Sequence, residues 1–499
     1  MELLHNLALG FQVALGLDNL LYCFVGVVLG TLIGVLPGIG PVATISMLLP
    51  ITFKLEPTSA LIMLAGIYYG AQYGGSTSAI LVNLPGEASS VVTCLDGYAM
   101  ARKGRAGHAL AIAAIGSFFA GCVATLIVAA AAPPLAELAF KLGAAEYFSL
   151  MVLGLVAAVV LAQGSLFKAI AMIVLGILLG LVGMDTTTGD QRYTFGLPEL
   201  SDGIDFVVVA MGMFGFAEII SNLERPEHRE ILTQTIGRLL PGRAELRQAW
   251  GAIVRGTGLG SLLGVLPGGG ALLGSFGAYM LEKKIAKDPS RFGKGAIEGV
   301  AGPESANNAG AQTSFIPMLT LGIPPNPVMA LMVGAMTIHG IQPGPQVITR
   351  QPELFWGMIS SMWVGNLLLV ILNLPLIGLW VRLLSMPYRY LYPAILLFCC
   401  VGLYSLHNSV MDVFLAIGFG FLGYVFIKLK CEPAPLLLGF ILGPMMEDHF
   451  RRALTIARGD PTVFVTRPIS CTLLVVAALL LLAVVAPNIR KARQQAFQE

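Results

Sequence analysis

Residues 30–40 of this 499-residue chain read GTLIGVLPGIG, and residues 260–270 read GSLLGVLPGGG. Eight of the eleven positions are identical, and each copy lies within a long apolar run. Glycine and proline weaken and interrupt helices, so the repetition of the same break indicates that the break itself is required. We therefore expect two related units, each built around an interrupted helix.

The composition is that of a membrane protein. Hydrophobic residues make up 56% of the chain and charged residues only 12%, about half the share of a typical soluble protein. The ten-residue alternation of a membrane β-barrel is absent, so we expect an all-α polytopic membrane protein. Apolar stretches long enough to cross a bilayer include 109–132, 166–184, 206–221, 354–380 and 473–485 with its flanks.

Composition also argues against several kinds of chemistry. The net charge of +2 gives no indication of nucleic-acid binding. The seven cysteines form no CxxC pair or Cys/His metal spacing, and the six histidines include no HExxH pair. We expect no catalytic residues, no organic cofactor and no metal site beyond a possible Na⁺.

Lysine and arginine concentrate in three loops, 102–105, 225–247 and 283–294, which the positive-inside rule places in the cytoplasm. The segments 185–205 and 340–353 carry one arginine each. No cation precedes the first Gly-Pro phrase and one lysine follows it, whereas five cations precede the second phrase and five follow it. The two units are therefore expected to lie inverted in the membrane, which is typical of secondary transporters.

The same pattern predicts the domain boundaries. A first inverted repeat, 1–222, would contain a re-entrant hairpin at about 20–53, a broken helix at about 57–95 and four crossings. A cytoplasmic linker, 223–249, would lead to a second repeat, 250–487, and a charged tail, 488–499. The second repeat would carry its hairpin at about 250–281 and its broken helix at about 295–339. After about residue 430 the arginines at 451, 452 and 458 conflict with a cytoplasmic tail, so the charges define no topology there.

The breaks predict a site for a small organic anion. Unwound backbone inside a bilayer needs partners, and half-helix N-termini suit anions while freed carbonyls suit Na⁺. No lysine or arginine lies between residues 58 and 92 or between 295 and 339, so we expect a carboxylate rather than a phosphate held by arginines. The candidate substrate-binding residues are Pro37, Gly38, Gly40, Ser76, Thr77, Ser78, Asn83, Pro85, Gly86, Pro267, Gly268, Gly269, Asn307, Asn308, Thr313, Ser314, Pro324, Pro325 and Asn326.

Candidate ion-coupling residues are Glu87, Glu304, Thr77 and Thr313. The many neutral oxygens of the breaks favour Na⁺, whereas H⁺ coupling would depend on the two glutamates, either of which could instead cap a half-helix. Asp96 begins a cationic loop and is expected to be solvated. The glycines at 26, 30 and 34, and those at 256, 260 and 264, are expected to serve close helix packing.

Several motifs resemble the large membrane subunit of tripartite tricarboxylate transporters, the TctA family. They are GVLPGIGP (34–41), YYGAQYGGSTSAILVNLPGEASSV (68–91), DGYAMARKGRAGHAL (96–110), FGKGAIEGVAGPESANNA (292–309) and LTLGIPPNPVMALM (319–332). The resemblance spans nearly the whole chain. It implies a multi-pass permease of the bacterial inner membrane, surrounded by membrane lipid and driven by an ion gradient. It also implies a small four-helix membrane subunit and a periplasmic substrate-binding protein as partners, with citrate, other di- and tricarboxylates or some aromatic acids as substrates.

Three alternatives remain open. A stand-alone Na⁺- or H⁺-coupled carboxylate symporter would need no binding protein. A membrane-embedded transferase would need acid, base or metal residues clustered at one membrane face, and the sequence shows none. A channel agrees with the topology, but paired inverted breaks suit a closed site near the midplane better than a continuous pore.

Overall fold

The computed structural model describes residues 2–36, 40–162, 165–185, 187–224, 239–266, 270–384 and 388–485. The protein is 80% helical with almost no strand, which confirms the predicted all-α polytopic membrane class. Within the described residues, five helices are long and apolar enough to span a membrane. These are Leu17–Val35, Ala106–Ala139, Phe206–Leu223, Pro352–Asn373 and Val410–Lys428.

The first half of the chain is a series of helices with one small β-hairpin. Two 3-10 segments (Ala88–Ser90 and Pro198–Leu200) and two π-helical segments (Cys94–Tyr98 and Met211–Phe216) lie between or within them. Strand β1 (Gly183–Met184) pairs antiparallel with β2 (Gln191–Arg192). The α-helices are α1 (Glu2–Ala14), α2 (Leu17–Val35), α3 (Pro41–Thr52), α4 (Pro57–Val82), α5 (Val91–Thr93), α6 (Ala99–Arg102), α7 (Ala106–Ala139), α8 (Ala144–Leu161), α9 (Leu166–Gly180), α10 (Phe206–Ala210) and α11 (Ala217–Leu223).

The described part of the second half consists of α-helices and the loops between them, with a 3-10 segment at Pro289–Arg291 and no strand. Residues 225–238 of the predicted linker and the predicted tail, 488–499, lie outside the described residues. The α-helices are α12 (Arg243–Gly264), α13 (Gly270–Ile285), α14 (Glu298–Thr313), α15 (Phe315–Leu321), α16 (Pro327–Ile338), α17 (Gln346–Arg350), α18 (Pro352–Asn373), α19 (Ile377–Leu384), α20 (Tyr388–His407), α21 (Val410–Lys428), α22 (Pro433–Ile456), α23 (Val463–Thr466) and α24 (Pro468–Val485).

Glycines make the closest helix contacts in both halves. A Cβ added at any of three glycines of α2 would lie within 2.4 Å of a carbonyl oxygen of α4, and α12 meets α14 in the same way, within 2.5 Å. Helices this close exclude any side chain between them, so the packing role predicted for these glycines is confirmed. Gly26, Gly30 and Gly34 face Met63, Ile67 and Ala71, and Gly256, Gly260 and Gly264 face Gly302, Ala306 and Gly310. The pairs α2–α4 and α12–α14 therefore have the same register.

The helix breaks are shorter than expected. α4 continues to Val82, so Ser76, Thr77 and Ser78, which we expected beside an unwound segment, are helical. Thr77 Oγ1 donates to the carbonyl of Tyr73 at 3.5 Å, because a hydroxyl in a membrane helix finds its nearest acceptor one turn back. In the second half α14 likewise runs helically to Thr313. The non-helical segments are reduced to residues 83–87 and 322–326.

Ion pairs show which helix ends share a face. Lys428, at the end of α21, pairs with Glu224, which follows α11. Arg451, near the end of α22, pairs with Asp185 at 3.1 Å and with Glu447 at 2.7 Å. α21 therefore ends beside the end of α11, whereas α22 ends beside the loop that joins α9 to α10.

These contacts concern Arg451, one of the three arginines that conflict with a cytoplasmic tail. Because two carboxylates neutralise Arg451, this arginine does not mark a cationic loop. With 225–247 in the cytoplasm, as predicted, α21 would end there and α22 would cross to the opposite face. On that face Arg467, which precedes α24, pairs with Glu146 at the start of α8 at 3.0 Å. α24 would then return the chain to the cytoplasmic side.

Candidate functional site

The two chain breaks have the same backbone geometry. The residue after α4 is Asn83, with a left-handed φ of 57°, and the residue after α15 is Gly322, with a φ of 73°. Asparagine and glycine are the residues that adopt this conformation most readily. Four positions later comes the N-cap residue of the next helical segment. It is Glu87, with φ −151° and ψ 167°, before the 3-10 segment, and Asn326, with φ −151° and ψ 168°, before α16. Positions 87 and 326 are therefore structurally equivalent.

The side chains at these equivalent positions act differently. Asn326 Oδ1 accepts a hydrogen bond from the backbone N–H of Met329 at 2.9 Å and so caps α16. Glu87 instead forms a capping box with Ser90, whose Oγ accepts from the Glu87 backbone N–H at 3.4 Å. Glu87 Oε1 accepts from Ser89 Oγ at 2.6 Å and from Asn307 Nδ2 at 2.9 Å. Glu87 is thus held by a neighbour in its own break and by α14 of the other half.

The second candidate glutamate, Glu304, makes the reciprocal contact. It is completely buried in α14, and its two carboxylate oxygens accept hydrogen bonds from the hydroxyls of Ser76 and Thr93 in the first half. A buried carboxylate is tolerated only when hydrogen-bonded or protonated, and these hydroxyls supply the hydrogen bonds. Each glutamate therefore links the two halves of the protein.

A cavity of 340 Å³ lies between the halves, within the size range of small-molecule sites. It is bordered by the residues that flank both Gly-Pro tips, by both chain breaks, by α4 and by the ends of α8 and α22. The lining residues are Gly40, Pro41, Val42, Tyr68, Gln72, Glu87, Ala88, Ser89, Ala158, Ala162, Gly270, Ala271, Leu272, Asn326, Pro327, Val328, Glu432, Ala434, Pro435 and Leu438.

Four α-helices begin at this cavity. They are α3, α13, α16 and α22. The first residues of α3, α13 and α16 line the cavity, as do Glu432 and Ala434 on either side of the first residue of α22. Three of these helices begin with proline, Pro41, Pro327 and Pro433, a residue that suits the first helical position. Each helix N-terminus carries about half a positive charge and offers free N–H groups. Among the described helices, α8 alone turns a C-terminus toward the same space, at Ala162.

The side chains that line the cavity include no lysine or arginine among the described residues. The ionisable groups there are Glu87, Glu432 and Tyr68. An anion in the cavity would therefore meet helix N-termini and polar neutral groups. It would also meet two carboxylates, whose charge opposes it.

Part of the predicted site lies at this cavity. Gly40 and Asn326 line the cavity, as does Glu87. Asn83, Pro85, Gly86, Pro324 and Pro325 form the breaks next to it. The tip residues Pro37, Gly38, Pro267, Gly268 and Gly269 lie outside the described residues, although the cavity is lined by the residues that directly follow both tips.

The remaining predicted residues lie away from this cavity lining. Ser76 and Thr77 border a separate space of only 10 Å³ beside α7. Ser78, Thr313 and Ser314 donate to carbonyls of their own helices, those of Gly75, Ala309 and Ala311. Asn308 donates to Ser117 of α7 at 2.7 Å. Asn307 contributes indirectly, through its hydrogen bond to Glu87.

Sequence reasoning missed several lining residues. Tyr68, Gln72 and Ser89 lie within the longest motif, but nothing in the pattern distinguishes them from helix-packing residues. The start of α22, 432–438, lies more than 100 residues after the second break, so no local signal connects it to the cavity. Its composition offers one hint, because Pro433 and Pro435 mark a helix start within an apolar stretch.

The expectation that Asp96 is solvated was wrong. Asp96 is completely buried and accepts hydrogen bonds from Tyr279 Oη at 3.0 Å and from the backbone N–H groups of Gly293 (3.0 Å), Gly295 (2.7 Å) and Ala296 (2.7 Å). The three backbone donors lie in the loop that leads into α14, and Tyr279 lies in α13. Asp96 therefore ties the end of the first broken segment to the start of the second.

A second cavity, of 750 Å³, follows the same seam between α16 and α22. Val328 of α16 and Leu438 of α22 border the first cavity. Val333 and Phe440, further along the same two helices, border the second cavity. Two aromatic rings, those of Phe206 and Phe440, line the second cavity. A Cβ at Gly334 of α16 would come within 2.2 Å of the Phe206 ring, which lies 6.2 Å from the ring of Phe440 on α22.

The helices and the cavity between the two halves of the chain define an all-α, multi-pass membrane protein with an internal cavity. The chain belongs to the tripartite tricarboxylate transporter TctA family, whose family model matches residues 20–438. This confirms the resemblance noted in the sequence. The protein is therefore a membrane component of a transporter that works with other subunits, in a family of transporters rather than enzymes.

Two proteins of Agrobacterium vitis are similar to this chain. One, described as an uncharacterized 52.8 kDa protein in the TAR-I ttuC′ 3′ region, is 61% identical over 499 residues, covering 100% of this chain and 99% of the relative. The other, described as an uncharacterized protein in the TAR-II ttuC′ 3′ region, is 63% identical over 240 residues, 48% of this chain and 99% of the relative. No solved structure matches the chain.

Proposed function

We propose that this protein is the ion-gradient-driven uptake permease for a small organic acid, a di- or tricarboxylate such as citrate or a related acid. It works by alternating access in the bacterial inner membrane. A periplasmic substrate-binding protein delivers the acid, and a small four-helix membrane subunit completes the complex. The observation that carries the proposal is the convergence of four α-helix N-termini on one cavity that lacks lysine and arginine side chains among its described lining.

Helix N-termini bind anions of several kinds, and the apolar lining beside them favours an organic acid over a phosphate. The N–H groups of a helix N-terminus donate to the oxygens of an anion. Each helix N-terminus contributes only about half a positive charge, and it lacks the paired side-chain donors with which an arginine binds two oxygens at once. The surrounding lining is largely apolar, from Val42 and Leu272 to Leu438. An organic acid offers carboxylates for the helix ends and carbon atoms for the apolar wall. A phosphate offers no such apolar surface.

Two acids in the same cavity support coupling to a cation, with Na⁺ favoured over H⁺. Glu87 and Glu432 would repel an incoming carboxylate, and moving anions into a low dielectric is costly without a countercharge. A co-bound cation offsets this repulsion and makes substrate affinity depend on cation concentration. The candidates remain Glu87, Glu304, Thr77 and Thr313.

The test is uptake by the complete complex in proteoliposomes. The chain would be reconstituted with the small subunit, and the binding protein added outside, with labelled citrate, other dicarboxylates, aromatic acids and inorganic phosphate compared in turn. We expect accumulation of an organic acid only with an inward Na⁺ gradient and only with the binding protein. Equal uptake without the binding protein would favour a stand-alone symporter. Selective phosphate uptake, or none of any acid, would overturn the proposal.

A further inference from the structure

We infer that the coupling cation is a Na⁺ ion held at Glu87, with Ser89, Gln72 and Asn307 supplying neutral oxygens. This inference rests on the proposed function, because it names the coupling site of that permease. It narrows the four candidates to one residue and adds two side chains, Ser89 and Gln72, that the sequence did not suggest.

The internal repeat provides the first argument. Glu87 and Asn326 occupy equivalent positions with matching backbone angles, and both are half-buried at the cavity. In the second half, a neutral amide is enough to start the helix that follows the break. In the first half, the backbone N–H of Glu87 is bound instead by Ser90 Oγ at 3.4 Å. A neutral residue therefore satisfies the fold at this position, so the presence of a glutamate at position 87 indicates a role other than starting the helix.

The local geometry provides the second argument. Ser89 Oγ lies 2.6 Å from Glu87 Oε1 and 3.3 Å from Gln72 Oε1, so three oxygens from three side chains are grouped at the cavity wall. Both hydrogen bonds to the carboxylate fall on Oε1, and Oε2 receives none from the described residues. Carboxylate, hydroxyl and amide oxygens are the ligands that hard cations prefer.

A buried, unpartnered oxygen points to the same place. The Asn307 amide, completely buried, donates its Nδ2 to Glu87, whereas its Oδ1 accepts no hydrogen bond from the described residues. An unsatisfied buried acceptor costs about 1–3 kcal/mol. With a cation on the carboxylate, rotation of this amide would turn Oδ1 toward the ion, replacing a hydrogen bond with a ligand bond. The site would then have four oxygen-bearing side chains from α4, α14 and the first break.

The other candidates fit less well. Glu304 does not line the cavity, and both of its oxygens are engaged by the hydroxyls of Ser76 and Thr93. The hydroxyls of Thr77 and Thr313 donate to carbonyls one turn back in their own helices. A cation bound at any of these residues would not meet the substrate directly. At Glu87 it would remove a negative charge from the wall of the substrate cavity itself.

Two measurements on the full chain test the inference. The first is the thermal unfolding temperature of the purified protein in NaCl against choline chloride of equal ionic strength, because a ligand that binds only the folded state stabilises it. We expect a Na⁺-specific increase in wild type that is lost in Glu87→Asn, which places the residue of position 326 at position 87. Glu304→Gln serves as the matched control and should retain the Na⁺-specific increase.

The second measurement is the Na⁺ dependence of uptake in the reconstituted complex. Removing one neutral ligand in Ser89→Ala should raise the Na⁺ concentration for half-maximal uptake by about tenfold, within the usual range of coupling between sites. If Glu87→Asn fails to fold, this milder variant still decides the matter. If wild-type uptake depends on Na⁺ and the folded Glu87 and Ser89 variants show the same Na⁺ dependence, the inferred site is wrong, but the proposed function as a permease stands. Wild-type uptake that ignores Na⁺ and follows a pH gradient would overturn Na⁺ coupling itself.

Discussion

Replacing Gly86 with alanine should disable transport through backbone contact alone. Gly86 lies in the first break, directly before Glu87. A Cβ there would be 2.2 Å from the carbonyl oxygen of Gly34 and 2.5 Å from Cα of Gly75, whereas ordinary contact begins at 3.4 Å. Both neighbours are backbone atoms, so no side-chain rotation can relieve the contact. The break must move by about 1 Å, because the closely packed helices around it leave no other space.

The magnitude follows from that displacement. Overpacking a well-packed site costs about 1–3 kcal/mol. Asn307 Nδ2 now lies 2.9 Å from Glu87 Oε1. If the whole of this energy goes into separating the two groups, the affinity of the cavity for its ligand falls by about 5- to 150-fold. We therefore expect initial uptake at low substrate to fall by about tenfold or more, while the protein still inserts in the membrane.

Gly40→Ala is the matched control for this experiment. Gly40 lines the same cavity and has a φ of −72°, which alanine adopts freely, and no heavy atom lies within 4 Å of its added Cβ. Uptake should be measured at equal amounts of membrane-inserted protein and should be close to wild type for Gly40→Ala. Near-normal uptake by Gly86→Ala, or equal loss in both variants, would refute the steric argument.

Three further predictions concern stability and are measured by thermal unfolding of the purified protein. Gly322→Ala should destabilise by about 1–3 kcal/mol, because its φ is 73° and a Cβ would lie 2.8 Å from a neighbouring carbonyl oxygen; an unchanged unfolding temperature would contradict this. Asp96→Asn should destabilise by a similar amount and speed amide exchange at 293–296, because an amide has one acceptor oxygen where two accept now; unaltered exchange would argue against it. Hydrogen bonds from the backbone N–H of Thr187 and from Arg192 lower the pKa of Asp185, which lies in the loop between α9 and α10, so stability from this group is present above its usual value of 3.8 and is lost as pH falls through the lowered pKa. Arg192→Met should therefore unfold at a lower temperature than wild type at pH 7, and the difference should shrink as pH falls below 3.8; a constant difference would contradict the pairing.

The repeated phrase and the glycines before it were enough to predict one part of the helix packing. Glycines four residues apart in an apolar helix predict close packing, and the structure confirms it at Gly26, Gly30 and Gly34. The equivalence of positions 87 and 326 was harder to detect. The break in the first half reads NLPGE and the break in the second reads GIPPN, with only one proline in common at matching places. Asparagine and glycine both accept a left-handed φ, so the shared feature is a backbone conformation that different residues can supply.

The errors at the site have two physical causes. Ser76–Ser78 look like loop residues because they are small and polar, yet a hydroxyl in a membrane helix can be satisfied by its own backbone. Asp96 looks solvated because cations follow it, yet its partners lie about 200 residues further along the chain. The lining by α22 likewise depends on tertiary packing alone. Such long-range contacts leave no trace in local residue patterns.

The charge distribution at the cavity suits a site that must release its ligand as well as bind it. Four helix N-termini offer partial positive charge that is always present, and no lysine or arginine of the described lining adds a full charge. Glu87 and Glu432 oppose that field. A cation at Glu87 would cancel one of the opposing charges and so make the cavity attractive to an acid only while the cation is bound. The helix N-termini would then determine which class of molecule binds. Glu87, which has the neutral Asn326 as its counterpart in the second break, would determine when it binds.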